Sequence, residues 1–367
     1  MSRTSTSTAT SVPTRLAGAP EDYTRIGIEP HAVKPWEDGM RTDGSAGTYE
    51  WWYFDAHLDD GAKLVVVFYT KDFADLGKPL SPQILIDLTL PDGTAVHRLV
   101  QLDPKSFSAS TDACDVRIGE NTFTGDLHTY TIRAHVEDVE VDLTLTGQVP
   151  AWRPETGFWL FGEHGEHEFA WLPSVPQGSV QVTYSVAGDA ATTTGVGYHD
   201  HNWGNELMLK LMHHWYWARG AAGPYSVIAS YITAEKKYGY TSLPVFMLAR
   251  DGKLIADDNS KVTFEELGRY TDTDTGKPVA NVTRYTYTDA DERYIVTFTR
   301  HSDLTSAKFI NDLKGPKKAA AKLAGFDGAY LRFAGELRIE HYQGEQLVDS
   351  HTDDALWELM YFGKARP

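Results

Sequence analysis

Gly197-Tyr198-His199-Asp200-His201-Asn202-Trp203-Gly204 gathers one carboxyl, two imidazoles, one amide and two aromatic rings in a single short stretch. Read as a strand, its period-two alternation puts Tyr198, Asp200 and Asn202 on one face and His199, His201 and Trp203 on the other. Desolvation beside an apolar cavity pushes a carboxyl up in pKa, so Asp200 is a candidate general acid near neutral pH. His201 and Asn202 are candidates to orient its proton or hold a water. The same residues also suit a plainer role, a polar joint between domains in which Asp, His and Asn tie off backbone groups.

A second constellation is Tyr49-Glu50-Trp51-Trp52-Tyr53-Phe54. Successive aromatics in a strand cover both faces, so some line a core and others a cavity or a domain interface. Glu50 reads either as a salt-bridge partner or as a second carboxyl in the pocket. Candidate substrate contacts are Glu50, Trp51, Tyr53, Tyr198, His199, Trp203 and Trp217. Of these, Trp51, Tyr53, Trp203 and Trp217 offer π faces to a developing cation.

Metal chemistry is the rival use of these histidines. His199 and His201 stand at i and i+2, His213 and His214 follow, and His164 and His167 lie among Glu163, Glu166 and Glu168. Zinc needs three or four converging ligands, and no familiar spacing occurs, so no metal is expected. No GxGxxG follows a strand and no Walker loop occurs. Gly-Tyr-His-Asp-His is not a Gly-x-Ser-x-Gly elbow. The chemistry is expected to need no cofactor.

The elements that must position these groups read as short strands between turns. Leu64–Tyr69 follows Asp59-Asp60-Gly61, and Ile84–Leu90 ends at Pro91-Asp92-Gly93. Tyr130–Val136 and Val139–Leu145 alternate as half-buried antiparallel strands do. Tyr225–Thr233, Val245–Ala249, Val282–Tyr287, Tyr294–Thr299 and Leu331–Glu340 continue the pattern, which argues for a sandwich or barrel. Helix is expected only over Leu304–Ala324, broken at Pro316, its lysines forming a solvated face or a lid. Trp52-Tyr53-Phe54 and the strand ending at Tyr69-Thr70 recur as Trp215-Tyr216-Trp217 and Ile232-Thr233, each 163 residues on. That constant offset predicts a duplicated β unit with its join near Asn205–Lys210.

Composition sets the outer limits. At 367 residues the chain exceeds what one core usually serves, so two domains are expected. A formal net charge of −17 disfavours nucleic acid and anionic lipid as partners. Cys114 has no second cysteine to pair with, and no stretch of about 18 apolar residues spans a membrane. The Ser/Thr-rich start carries no apolar signal region, so residues 1–20 read as a disordered tail and the cytoplasm as the compartment. The expected partner is an apolar small-molecule substrate; nothing in the sequence sets an oligomeric state.

Glu50-Trp51-Trp52-Tyr53-Phe54-Asp55, the Gly197–Gly204 segment and the ending Trp357-Glu358-Leu359-Met360-Tyr361-Phe362-Gly363 together resemble the carotenoid 1,2-hydratase (hydroxyneurosporene synthase) and AttH-like lipocalin family. The resemblance implies an all-β fold of two tandem lipocalin-like β-barrel domains with little helix, at 21–207 and 208–367. It implies a ligand cavity in or between them. It also implies one of several activities: alkene protonation and hydration without a cofactor, or intramolecular Diels–Alder cyclisation of polyketide chains. The hydratases' catalytic aspartate falls at Asp200, with His199 standing where their pattern has an aromatic. The leading expectation is a cofactor-independent hydratase or cyclase acting by acid catalysis on an unsaturated isoprenoid or polyketide-like substrate. A pericyclase working by confinement and a non-catalytic carrier of an apolar molecule are the alternatives.

Overall fold

The structure is a computed structural model that describes residues 12–312 and 327–365. Its first sheet contains β1 (Tyr49–Leu58), β2 (Lys63–Tyr69), β3 (Gln83–Thr89), β4 (Ala95–Gln101), β5 (Phe107–Ala109), β6 (Cys114–Ile118), β7 (Asn121–Gly125), β8 (Thr129–Val136), β9 (Val139–Gly147), β10 (His167–Val186) and β11 (Asp189–Gly204). Its second contains β12 (Met212–Ala222), β13 (Tyr225–Ala234), β14 (Ser242–Arg250), β15 (Lys253–Ala256), β16 (Val262–Leu267), β17 (Val282–Asp289), β18 (Glu292–Lys308), β19 (Ala329–Gln343) and β20 (Gln346–Tyr361). Local chemistry explains the hairpins. Gly61, at φ +94°, takes the left-handed position between β1 and β2, and burial along β8 and β9 alternates residue by residue.

The first sheet runs in the order β4-β3-β2-β1-β11-β10-β9-β8-β7-β6-β5, and the second in the order β15-β14-β13-β12-β20-β19-β18-β17-β16. These are the same path walked twice. Each sheet curls until far strands meet: β8 packs back against β3 and β4, and β16 against β14. The result is two lipocalin-like barrels in tandem. Trp52, Phe54, Leu64 and Val66 belong to the core of the first; Tyr216, Ala218, Phe246 and Trp357 belong to that of the second. A third apolar cluster joins them, with Tyr49, Trp159, Trp171 and Tyr198 from one side and Ile228, Ile232 and Met247 from the other.

Register corrects the expected repeat offset. Trp51 pairs with Tyr69 and Trp215 with Ile232, so the first strands match at 215 − 51 = 164 and the second at 232 − 69 = 163. The turn of the second hairpin is one residue shorter. A one-residue slip exchanges the faces of a strand. Trp52 therefore corresponds to Tyr216, both inside their own barrels, whereas Trp215 corresponds to Trp51 between them.

Two other expectations change. Residues Thr14–Leu16, read as tail, pair with Trp159–Phe161, and Pro20–Ile26 is a helix. Leu304–Lys308, read as helix, ends the long strand β18, because its backbone pairs with β19; among the described residues of that stretch, helix covers Phe309–Asp312. The lysine-rich second half of that pattern lies outside the described residues. Among the described residues no helix is long and apolar enough to cross a membrane. Cys114 is buried in the first barrel.

Candidate functional site

β11 is bonded on both edges, to β1 and to β10, which fixes its register from two sides. Asp200 pairs with Tyr53, and Asn202 pairs with Trp51 on one side and Trp171 on the other. The residues on this face of the sheet look towards the second barrel. Trp51, Tyr53, Phe169, Trp171, Asp200 and Asn202 form one wall of a chamber between the barrels. Trp215, Trp217, Ser230, Ile232 and Glu358 form the other. The chamber is a cavity of about 150 Å³ within a recess of about 620 Å³ that is partly open to solvent. Rings from the two barrels meet at its edge, Tyr198 and Trp217 at 5.6 Å. Asp55 of β1 forms an ion pair with Arg219 of β12, whose guanidinium also lies over the Tyr198 ring at 5.3 Å.

Asp200 is the centre of the polar part. Its Oδ2 accepts from Trp171 Nε1 at 2.8 Å and from the Tyr198 hydroxyl at 2.7 Å. Its Oδ1 accepts from Asn202 Nδ2 at 2.7 Å. These donors favour the ionised form, yet burial outweighs them and pushes the carboxyl up to about 6. Neither Asp200 nor Glu358 has a Lys, Arg or His within ion-pair distance among the described residues. Burial likewise pushes Glu358 up, against donation from Trp215 Nε1 at 3.1 Å and the Tyr330 hydroxyl at 2.8 Å.

The opposite face of β11 serves the first barrel instead. His201, expected beside Asp200, turns away from the chamber; its Nε2 meets Glu50 Oε1 at 2.8 Å and its ring stacks on Trp52 at 4.6 Å. His199 donates from Nδ1 to the Tyr53 carbonyl at 2.8 Å and meets Asp38 through Nε2 at 3.2 Å. Glu50 also leaves the expected substrate wall. It is fully buried and accepts from the Arg41 and Thr42 amides at 2.6 and 2.9 Å and from the Thr42 hydroxyl at 2.7 Å. Trp203 packs on Phe158 at 5.4 Å and on His201 at 4.7 Å, away from the chamber. Alternation on a strand separates these residues from Asp200 as a matter of geometry.

Of the expected residues, Asp200, Asn202, Trp51, Tyr53 and Trp217 therefore come together on the chamber, with Tyr198 directly behind Asp200. Phe169, Trp171, Trp215, Ser230, Ile232 and Glu358 join them without having been singled out as site residues. Trp215 and Glu358 stood in the repeat and in the C-terminal motif; Trp171 had no local signal and is found only through the β10–β11 register. Asp38 was missed too. It lies on the short turn of 3-10 helix Pro35–Asp38 and collects His199, the Tyr130 hydroxyl at 2.5 Å and the neighbourhood of His201. Burial works against the Asp38 carboxylate, but the charges and hydrogen bonds of His199 hold it below its ordinary value. Asp38, Cys114 and His199 offer ligand atoms within 4.8 Å of one another; Tyr130 meets Asp38 Oδ2, and the Phe123 and Tyr53 carbonyls meet Cys114 and His199. His164 and His167 join no such group among the described residues.

Two curled sheets around a shared aromatic chamber, with a buried acid on its wall, define a tandem lipocalin-like protein. The chain belongs to the Diels-Alderase-like family, whose sequence pattern matches residues 41–303. It is similar to Diels-Alderase ucsH of an Acremonium species, 27% identical over 88% of each chain. It is also similar to the quinolone epoxide rearrangement protein asqO of Emericella nidulans, 27% identical over 50% of this chain and 54% of that protein, so the match spans about half of that relative's length. Among solved structures it resembles CghA, with a TM-score of 0.60, 15% identity and coverage of 93% of this chain and 96% of that one. An AttH-like protein of Nitrosomonas europaea follows, with a TM-score of 0.56, 16% identity and coverage of 90% and 97%.

Proposed function

We propose that the chain is a cofactor-independent enzyme that cyclises, rearranges or hydrates an unsaturated polyketide-like or isoprenoid molecule in the inter-barrel chamber, with Asp200 as its acid. The Asp200 carboxyl carries this reading. It faces an aromatic chamber, lacks a neighbouring cation, and is held near 6 by burial, so about a tenth of it is protonated at neutral pH. Protonated Asp200 donates to an alkene carbon or to an oxygen leaving group. Tyr198, Trp171 and Asn202 then stabilise the carboxylate left behind. The faces of Trp51, Tyr53 and Trp217 stabilise the positive charge on the substrate. Capture by water gives hydration, and capture by an alkene gives a ring. A relative named for epoxide rearrangement supports protonation at oxygen.

Confinement is the second reading, favoured by the chamber's largely aromatic and aliphatic walls and by a relative named as a Diels-Alderase. Here the same carboxyl only hydrogen-bonds a carbonyl of the substrate. Asp200→Asn separates the readings when assayed with a linear polyene carrying an epoxide or an activated carbonyl. Loss of nearly all turnover supports the acid. Partial loss with a changed product ratio supports confinement, and binding without conversion in both forms means a carrier. We take 21–207 and 208–367 as the domains, the second opening with the short helix Met208–Leu211, and the cytoplasm as the compartment.

A further inference from the structure

The duplicated path puts a second carboxyl at the place that Asp200 holds in the first barrel. Asp200 of β11 pairs with Tyr53 of β1, and Glu358 of β20 pairs with Trp217 of β12. Tyr53 and Trp217 correspond at the same spacing as Trp51 and Trp215, since 217 − 53 = 164. The donors correspond as well. Trp171 is the β10 partner of Asn202, two residues beyond Asp200, and Tyr330 is the β19 partner of Met360, two residues beyond Glu358. Trp171 donates to Asp200 and Tyr330 donates to Glu358. Both carboxyls line the one chamber, each on the wall of its own barrel. Leu356 and Met360 flank Glu358 on the same face of β20, so an apolar residue suits the strand there. An ionisable group in that row costs desolvation energy that packing alone does not require.

We propose that Glu358 is a second acid–base residue of the chamber: Asp200 delivers a proton at one wall and Glu358 accepts one at the other, with a substrate cation between them. This rests on the acid reading of Asp200. The Asp200 O–H bond breaks as a C–H or O–H bond forms on the substrate, whose π or C–O electrons move to leave a cation. The Glu358 carboxylate then takes a proton from a C–H beside that cation, or from the water that adds to it. The substrate gains and loses one proton, so an alkene or epoxide is isomerised or hydrated, while a carbinol releases its hydroxyl as water and is dehydrated. The enzyme ends with Asp200 ionised and Glu358 protonated, and exchange with solvent after release restores it. The substrate class is an unsaturated apolar molecule with an alkene, carbinol or epoxide at one end of the reacting centre. At the other end it carries a removable C–H or accepts water.

A stable cation tests the pair without the natural substrate. N,N-dimethyldecylamine is protonated at about pH 8, and N,N-dimethyldecanamide is its neutral counterpart. Both are titrated into the full chain and read by tryptophan fluorescence, since Trp51, Trp171, Trp215 and Trp217 line the chamber. The wild type should prefer the amine by about tenfold or more, through two carboxylates and the ring faces. Glu358→Gln should cut that preference by at least about threefold while leaving amide affinity nearly unchanged, because the isosteric amide keeps the shape of the wall. A wild-type preference retained in Glu358→Gln, or equal weakening of both ligands, overturns the proposal and makes Glu358 a structural peg. A wild type without any preference overturns it too. Preference lost in Glu358→Gln but kept in Asp200→Asn places the charge that holds the cation at Glu358 and supports the proposal, while full turnover in Asp200→Asn removes the acid reading of Asp200 separately.

Discussion

β11 carries a carboxyl and an amide towards the chamber and two imidazoles towards the first barrel, and the two faces differ in whether those groups meet a partner of opposite charge. On the barrel face, His199 and His201 meet Asp38 and Glu50, and Glu50 takes three further donors from Arg41 and Thr42. Nothing there faces open space. On the chamber face, Asp200 has three donors but no counter-ion, and it borders a cavity. Carboxylates held against imidazoles fix structure, whereas a buried carboxyl left short of a cation is free to exchange a proton.

The largest effect expected is on turnover. Asp200→Asn should lower kcat by roughly a hundredfold to ten-thousandfold with the fold intact, measured by steady-state assay beside circular dichroism. A comparable loss from a folded His201 variant would erase the distinction between the faces. His201→Ala should instead cost stability, about 3–5 kcal/mol in urea unfolding, because it leaves Glu50 buried without its partner. Turnover per folded molecule should stay within about threefold.

The pH dependence sharpens the same contrast. Since the acid must be protonated, kcat/KM should be level below about 6 and fall tenfold per unit above it. Stability runs in a stated direction as well. Folding raises the Asp200 pKa above its ordinary 3.8, so between about 4 and 6 the folded state holds more protons than the unfolded one. The wild type should therefore lose up to about 3 kcal/mol relative to Asp200→Asn as pH rises through that window, read from paired melting curves. The smallest effect belongs to Tyr198→Phe. Losing a donor to the carboxylate should move the descending limb of the pH profile upward by about half a unit to one unit, with rates changed only a few-fold.

Much of this was legible in the chain. Turn residues and alternation located the strands β2, β3, β8 and β9 within a residue or two; period two put His201 on the face opposite Asp200, yet His201 was still expected to orient the acid. What stayed hidden depended on pairing across long separations. Trp171 reaches Asp200 only because β10 and β11 share a register with two irregularities, between Leu172 and Val175 and between Val175 and Gly178. Asp38 and His199 are 161 residues apart. The repeat showed itself as an offset of 163, but the shorter second turn makes the facing residues correspond at 164, and that single residue decides which tryptophans see the ligand. Leu304–Lys308 reads as helix locally and is strand because β19 supplies a partner.

The doubled strand path has a consequence for how such a site diversifies. Two separate identical chains meeting about a dyad are bound to place equal groups on both sides of it. Fusion into one chain lifts that constraint, and here the matched positions hold Asp200 and Glu358, Asn202 and Met360, Trp171 and Tyr330. Each wall can then change by substitution without forcing the same change on its counterpart. A symmetric container becomes an asymmetric vessel, with a left and a right, whose walls present different groups to the space between them.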